Sequence, residues 1–298
     1  MSTSLAILYF LLRLSGRLPL RLLHGLGALL GQLFWWSGSQ LRHHTEVNLA
    51  LVNTQFDASQ RQATARRTLR ETGKSITEIA KIWGAGPETA LALVREVDGE
   101  ELFQAAQASG RGLIVAAPHL GCWELLNFWL CSRTDLAIVY RPPRNPALEP
   151  LLVKARGALK PEQVRAEGAG VRTLYKRLQA GGTVGILPDQ QPKQGDGEFA
   201  PFFGVPALTM VLVSRLAQRT GATVLFAFAE RLPRGGGYRI RFRAAPAEIG
   251  AENLHTAVSA LNQGVEACVR LAFEQYQWHY KRFQFRPDPH EPNPYWRG

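Results

Sequence analysis

The chain has 298 residues, 46% apolar and 20% charged, with 28 Gly and 18 Pro. That balance excludes disordered, collagen-like and disulfide-scaffold proteins and suits one large α/β domain or two small ones. Thirty-five Lys+Arg against 24 Asp+Glu give a net charge of +11, and its Arg-heavy excess favours planar, bidentate recognition of phosphate or carboxylate. An anionic partner is expected: nucleic acid, an anionic membrane or an acidic carrier protein each fit. The three cysteines, Cys122, Cys131 and Cys268, are far from C-x-x-C spacing, which argues against a disulfide framework or a zinc site and fits a reducing compartment.

The start of the chain has no basic n-region and no small-residue cleavage site after its first apolar run, so a cleaved signal peptide is not expected. Residues 5–12 read LAILYFLL; Arg13, Arg17 and Arg21 follow around Pro19, and a second apolar run from Leu22 ends in Phe34, Trp35 and Trp36. Neither run reaches the ~20 apolar residues of a spanning helix. Arginine near the middle of such a helix costs roughly 2.5–3.5 kcal/mol on insertion scales. On one helix, Arg13, Arg17 and Arg21 would form a stripe at headgroup level, with Leu12, Leu14, Leu18 and Leu22 turned to the acyl chains and Pro19 kinking the axis. Residues 1–36 are therefore expected to be a membrane-associated helical segment, with residues 37–298 as the main domain. A Leu-rich helix packed on the body is the alternative. Gly25, Gly27 and Gly31 have the wrong spacing for a dinucleotide fingerprint and follow no strand, and Gly73-Lys74-Ser75 lacks the upstream glycine of a phosphate loop.

In residues 58–83, Ala65, Leu69, Thr72, Ile76, Ile79 and Trp83 track one face at helical spacing and predict a long helix. Its other face carries Arg61, Arg66, Arg67 and Arg70, either a solvated surface or a docking face for an anion. Residues 112–117 are an unbroken apolar run stopped by Pro118, the pattern of a strand covered on both faces. Strands over 135–140, 183–187 and 223–229 are expected to alternate with helices over 121–131, 146–159, 171–179 and 208–219. This alternation predicts an α/β fold. Residues 238–243 alternate strictly after three glycines, which predicts a half-exposed edge strand with Arg239, Arg241 and Arg243 outward. A last helix is expected over 253–276, then a tail over 286–298 without periodicity.

Ligands of open α/β sheets bind beyond the carboxyl ends of strands, where His119 falls in Ala117-Pro118-His119-Leu120-Gly121-Cys122-Trp123-Glu124. Glu124 opens the next helix. A carboxylate there can hold one imidazole nitrogen and leave the other as a base that deprotonates a hydroxyl. The same residues also suit a histidine that ends a strand and a glutamate that complements a helix dipole. Cys122 beside His119 raises the rival of a thiol nucleophile, which needs a depressed pKa and access; a packed loop cysteine is the default.

The stretch HLGCWE resembles the H-x-x-x-x-(D/E) motif of the lysophospholipid acyltransferase superfamily, in particular its bacterial lipid A secondary (lauroyl/myristoyl) acyltransferase branch. There the usual form is H-x-G-N-W-E, so Cys122 stands where Asn is common. Val47-Asn48-Leu49, Thr72-Gly73-Lys74-Ser75, Val97-Asp98-Gly99-Glu100-Glu101-Leu102, Arg111-Gly112, Tyr140-Arg141-Pro142, Pro188-Asp189-Gln190, Pro201-Phe202-Phe203-Gly204 and Trp278-His279-Tyr280-Lys281-Arg282-Phe283 resemble the family in order, over nearly the whole chain.

The resemblance implies a lysophospholipid acyltransferase-like fold with a single mixed central sheet flanked by helices. It also implies direct transfer of an acyl chain from an acyl carrier protein thioester to a hydroxyl of a membrane glycolipid, without a covalent enzyme intermediate. The family's catalytic pair maps onto His119, which would take the hydroxyl proton, and Glu124, which would orient the ring. Arg141 and Arg144 then become candidates to hold a phosphate of the acceptor or of the carrier's phosphopantetheine arm, with plain surface arginines as the alternative. Asp189 and Gln190, with Gln191, are candidates to hydrogen-bond sugar hydroxyls, or they simply form the turn between Pro188 and Pro192. The family is more acidic at the positions of Gln190 and Gln191. No metal and no cofactor are expected beyond the phosphopantetheine thioester, which is a co-substrate. The expected partners are the acidic acyl carrier protein and a lipid A precursor at the cytoplasmic face of the inner membrane, and an apolar groove is expected to lead away from His119. Nucleic acid is disfavoured, because the aromatics cluster near the termini instead of interleaving with basic residues. The alternatives are a same-fold enzyme acting on a lysophospholipid, aminolipid or mannosylated lipid, and a non-catalytic basic membrane-binding protein.

Overall fold

The computed structural model describes residues 3–53, 55–140, 161–165 and 168–296; Arg141, Arg144 and the helix expected over 146–159 lie outside them. Four helices come first: α1 (Thr3–Ser15), α2 (Leu20–Trp36), α3 (Gln40–Val52) and α4 (Ala58–Gly84). The long predicted helix is α4, and Asp57 starts it with a reciprocal capping box: its carboxylate accepts from Gln60 N at 2.8 Å while Gln60 Oε1 accepts from Asp57 N at 3.0 Å. The N-terminal segment is broken where a kink is expected, since α1 ends at Ser15 and α2 begins at Leu20. Arg13, Arg17 and Arg21 therefore do not share one helix.

The helix α2 packs on the body with one face and exposes the other. Toward the body, Gly27 and Gly31 lie against Gly73 and Leu69 of α4 so closely that a Cβ on Gly73 would overlap the Gly27 carbonyl oxygen. Toward the outside, Leu22, Leu26, Leu29, Leu33 and Trp36 are between 47% and 65% exposed. Among the described residues no helix is long and apolar enough to cross a membrane.

The α/β body runs α5 (Pro87–Leu91), β1 (Val94–Asp98), α6 (Glu100–Ala108), β2 (Leu113–Ala116), α7 (Trp123–Arg133), β3 (Leu136–Tyr140), β4 (Glu162–Arg165), α8 (Gly168–Gln179), β5 (Thr183–Ile186), β6 (Gly197–Phe202), β7 (Val205–Met210), α9 (Leu212–Thr220), β8 (Thr223–Arg231), β9 (Tyr238–Ala244) and α10 (Leu254–Leu271). Seven strands form one mixed sheet in the order β1-β9-β8-β2-β5-β3-β4, parallel at every pairing except β8 with β9. The apolar run of β2 is buried along its length because the sheet is covered twice. Ile114 and Ala116 face a cluster with Leu174, Leu178, Val213 and Leu261, and Leu113 and Val115 face a second cluster with Phe103, Leu125, Trp129 and Phe242. Side chains that alternate faces along a strand need a core on both sides of it.

Two expectations need correction. The strand over 238–243 is not an edge, because β1 pairs with it in parallel and takes the outer position. Its outward arginines are matched by acids: Arg239 by Glu96, Arg241 by Asp98 and Glu230, and Arg243 by Asp98. The helix expected over 208–219 starts only at Leu212, since residues 205–210 form β7, which pairs with β6 in a separate two-stranded sheet.

Candidate active site

β2 and β5 are hydrogen-bonded neighbours in parallel, with Ala116 opposite Ile186, so the segments after them leave the sheet side by side. The first carries His119 and the second Asp189. The turn after β2 needs Gly121, which sits at φ 62°, where a Cβ would also collide with the Ala229 carbonyl. Backbone bonds fix this loop on both sides: Cys122 N donates to Ala229 O at 2.8 Å, and Gln277 N donates to His119 O at 3.1 Å. From within, the Arg231 guanidinium donates to Gly121 O at 2.8 Å.

Asp189 is 3% exposed and holds His119 twice. Its Oδ1 lies 2.8 Å from the ring Nδ1, and its Oδ2 accepts from the His119 backbone N–H at 2.9 Å. Burial on its own would raise the Asp189 pKa, but the His119 charge and its hydrogen bonds outweigh burial and leave it below the usual carboxylate value. A carboxylate accepts only, so Nδ1 carries the proton in this pair. The other ring nitrogen, Nε2, lies 3.2 Å from the Gln190 side-chain amide nitrogen, which also donates to Gln277 Oε1 at 3.0 Å.

Glu124 is buried in the first turn of α7, where the helix dipole favours a carboxylate, and it accepts from Trp83 Nε1 at 3.2 Å. Nδ1 of His119 is held by Asp189, which is expected from the sequence to meet sugar hydroxyls. The expected turn at Gln190 and Gln191 is present, but it brings Gln190 onto the imidazole. Gln191 donates from its backbone to Tyr280 Oη at 2.9 Å, while its buried side-chain nitrogen has no partner among the described residues. Cys122 is buried, and burial with the Glu78 charge pushes its thiol well above the ordinary value, so it lacks what a nucleophile needs.

His119, Gln190 and Gln191 line a cavity of about 810 Å³. Trp123, Ile138, Leu187 and Leu212 supply much of its apolar wall, and Arg165, Arg215, Arg219 and Lys193 make it basic. A base at one end of a wide, partly apolar and cationic cleft suits an amphiphile with an anionic group. Gln277, Tyr276 and Trp83 support the site without having been singled out for it. The only signals were the Trp278-His279-Tyr280 stretch nearby and the place of Trp83 on the α4 face.

Residues 3–285 match the family described as bacterial lipid A biosynthesis acyltransferase. The chain belongs to that family. It is 27% identical over 276 residues to the lipid A biosynthesis lauroyltransferase of Escherichia coli (strain K12), covering 91% of this chain and 88% of that protein. It is 27% identical over 244 residues to the same organism's lipid A biosynthesis palmitoleoyltransferase, covering 80% and 78%. A phosphatidylinositol mannoside acyltransferase of Mycobacterium tuberculosis is 28% identical over 152 residues, covering 50% of this chain and 48% of the mycobacterial protein. Membership makes the protein an acyltransferase.

Proposed function

We propose that the protein transfers a fatty acyl chain from the phosphopantetheine thioester of acyl carrier protein to a hydroxyl of a membrane glycolipid of the lipid A precursor class. The observation that carries this reading is the His119–Asp189 pair, whose other ring nitrogen meets Gln190 at the wall of a basic, partly apolar cavity. Gln190 withdraws as the acceptor hydroxyl takes its place at Nε2. The hydroxyl oxygen attacks the thioester carbonyl as its proton passes to Nε2, the C–S bond breaks, and the proton leaves on the phosphopantetheine thiolate. The products are an ester and a free thiol, and no enzyme ester forms. Asp189 stabilises the imidazolium, and Glu124 fixes the far end of the His119 loop and adds a second negative charge there. Gln191 offers its unpartnered amide to the substrate. Arg141 and Arg144 hold a phosphate of the acceptor or carrier. The exposed apolar face of α2 rests on the cytoplasmic leaflet of the inner membrane.

Mass spectrometry of lipid A from cells with and without the gene tests this. Loss of one acyl chain is expected, restored by the wild type and not by His119→Ala, Asp189→Asn or Glu124→Ala. General-base assistance is worth about 10²–10⁴-fold. An unchanged lipid A beside an altered phospholipid, aminolipid or mannosylated lipid would move the acceptor while keeping the mechanism. Full restoration by His119→Ala would refute the mechanism.

A further inference from the structure

A second cavity, of about 450 Å³, lies away from His119 between α2, α4 and the turn joining β8 to β9. Arg21, Arg70, Lys74 and Arg234 line it with His24, Gly25 and Ala28, and no acidic residue is among its lining residues. Other arginines of α4 are matched: Arg66 donates to Gln32, Arg67 pairs with Glu274 and Arg61 donates to the Phe56 carbonyl. Lys74 has Glu71 beside it, but Arg21, Arg70 and Arg234 have no acidic partner among the described residues. The turn holds these charges together. Gly235 packs onto α2 so tightly that a Cβ there would lie 2.7 Å from Arg21 Cα, and Arg234 beside it takes a left-handed conformation at φ 57°. Clustering like charges costs energy that a bound anion removes.

The neighbouring surface decides which anion. Nothing lies within 4 Å of a Cβ on Gly25, so the cavity is open along α2, and Leu22, Leu26 and Leu29, each 47% or more exposed, continue from it along the same helix. Cations beside exposed leucines match a phosphate with acyl chains attached better than the acidic, water-soluble surface of a protein. We propose that this cavity is a binding site for the phosphate headgroup of an anionic phospholipid, separate from the acyl-transfer site. The proposal rests on the reading that the α2 face meets the membrane. The floor of the cavity also touches the chemistry: His24 Nε2 is 3.2 Å from Glu78, Glu78 is bonded to Arg231, and Arg231 donates to the Gly121 carbonyl in the His119 loop.

The full chain is sedimented with phosphatidylcholine vesicles and with the same vesicles carrying phosphatidylglycerol. The variant Arg70→Gln/Arg234→Asn is compared with Arg172→Gln/Lys176→Gln, which removes two exposed charges from α8; Asn is chosen at 234 because it tolerates the left-handed conformation. Circular dichroism melting confirms that each variant folds. Wild type and the α8 variant are expected to prefer the anionic vesicles, and the cavity variant to lose about 30-fold in partition. Equal loss in both variants, or none in the cavity variant, overturns the site. So does a cavity variant that keeps vesicle binding but needs more acyl carrier protein for turnover, which would assign the cations to that protein. Weakening of vesicle binding by inorganic phosphate to the level of the cavity variant would also support a phosphate site, whereas phosphate competition with no effect of the variant would overturn it. A wild type that binds neither vesicle overturns the membrane-face reading as well.

Discussion

Burial pushes the His279 imidazole down to a pKa of about 4 from 6.5, with the His44 and His119 charges adding to it. Between these values the unfolded chain binds a proton there that the folded chain does not, so stability must fall as pH drops from 6.5 toward 4 and level off below. The loss is up to roughly 3 kcal/mol. Urea midpoints measured across this range are expected to fall more steeply for wild type than for His279→Gln, and parallel slopes would refute the assignment. His279 lies in a stretch that sequence singles out only by resemblance, and nothing in Trp278-His279-Tyr280 announces a histidine held neutral. Asp189 is the same kind of case. Its segment is legible as a turn after a buried strand, but its contact with His119 depends on β5 lying next to β2, 70 residues away in sequence. Strand order is set by packing of the whole sheet, so a local reading places His119 at the carboxyl end of its strand and offers as partner the carboxylate nearest in sequence, Glu124, which accepts from Trp83 at the start of α7.

At the scale of elements, the strands with continuous apolar runs are legible because a doubly covered sheet requires them. The β6–β7 hairpin is not. Pro201 and Pro206 stand opposite each other in it, and proline ordinarily demotes a run to a non-strand. A two-stranded sheet has only edges, so both prolines are tolerated. The hairpin turns through Phe203 at φ 50° and Gly204 at φ 79°, the doubly positive form that matches strand twist. The glycines of α2 are another such case. Their spacing excludes a nucleotide loop, yet their use depends on Gly73 of α4, where the two helix backbones approach closely. Gly73→Ala is expected to cost about 1–3 kcal/mol through overpacking. Gly25→Ala, which meets nothing within 4 Å, is expected to stabilise by roughly 0.5–1 kcal/mol through helix propensity alone. Denaturant midpoints of the two variants should therefore move in opposite directions, and a neutral Gly73→Ala would mean that the α2–α4 contact is looser than this geometry.

For the whole molecule, a charge of +11 foretells an anionic partner but not where it binds. The alternating arginines of β9, the most regular basic pattern in the sequence, turn out to be neutralised by Glu96, Asp98 and Glu230. Among the described residues, Arg21, Arg70 and Arg234 of the cavity beside α2 lack an acidic partner, and four more basic residues line the cleft beside His119. Both places lie where separate elements converge, which is why no single stretch of sequence displays them. The exposed leucines of α2 differ, because they repeat along one helix face; of the leucines expected to meet lipid, Leu22 is among them, and Leu12, Leu14 and Leu18 lie before this helix. If that face meets lipid, charge on it must act on membrane access and not on chemistry or folding. Leu26→Glu/Leu29→Glu removes two leucines that are already about half exposed, so the melting temperature should hold. Transfer of two leucine side chains into lipid at about 1.5 kcal/mol each gives a loss in vesicle partition on the order of 100-fold. Turnover of glycolipid embedded in vesicles should fall with it, while turnover of the same glycolipid dispersed in detergent, where no bilayer has to be reached, should stay near wild type. Equal loss in both assays would mean that these leucines serve the active site or the fold, and undiminished activity on vesicles would remove α2 from the membrane.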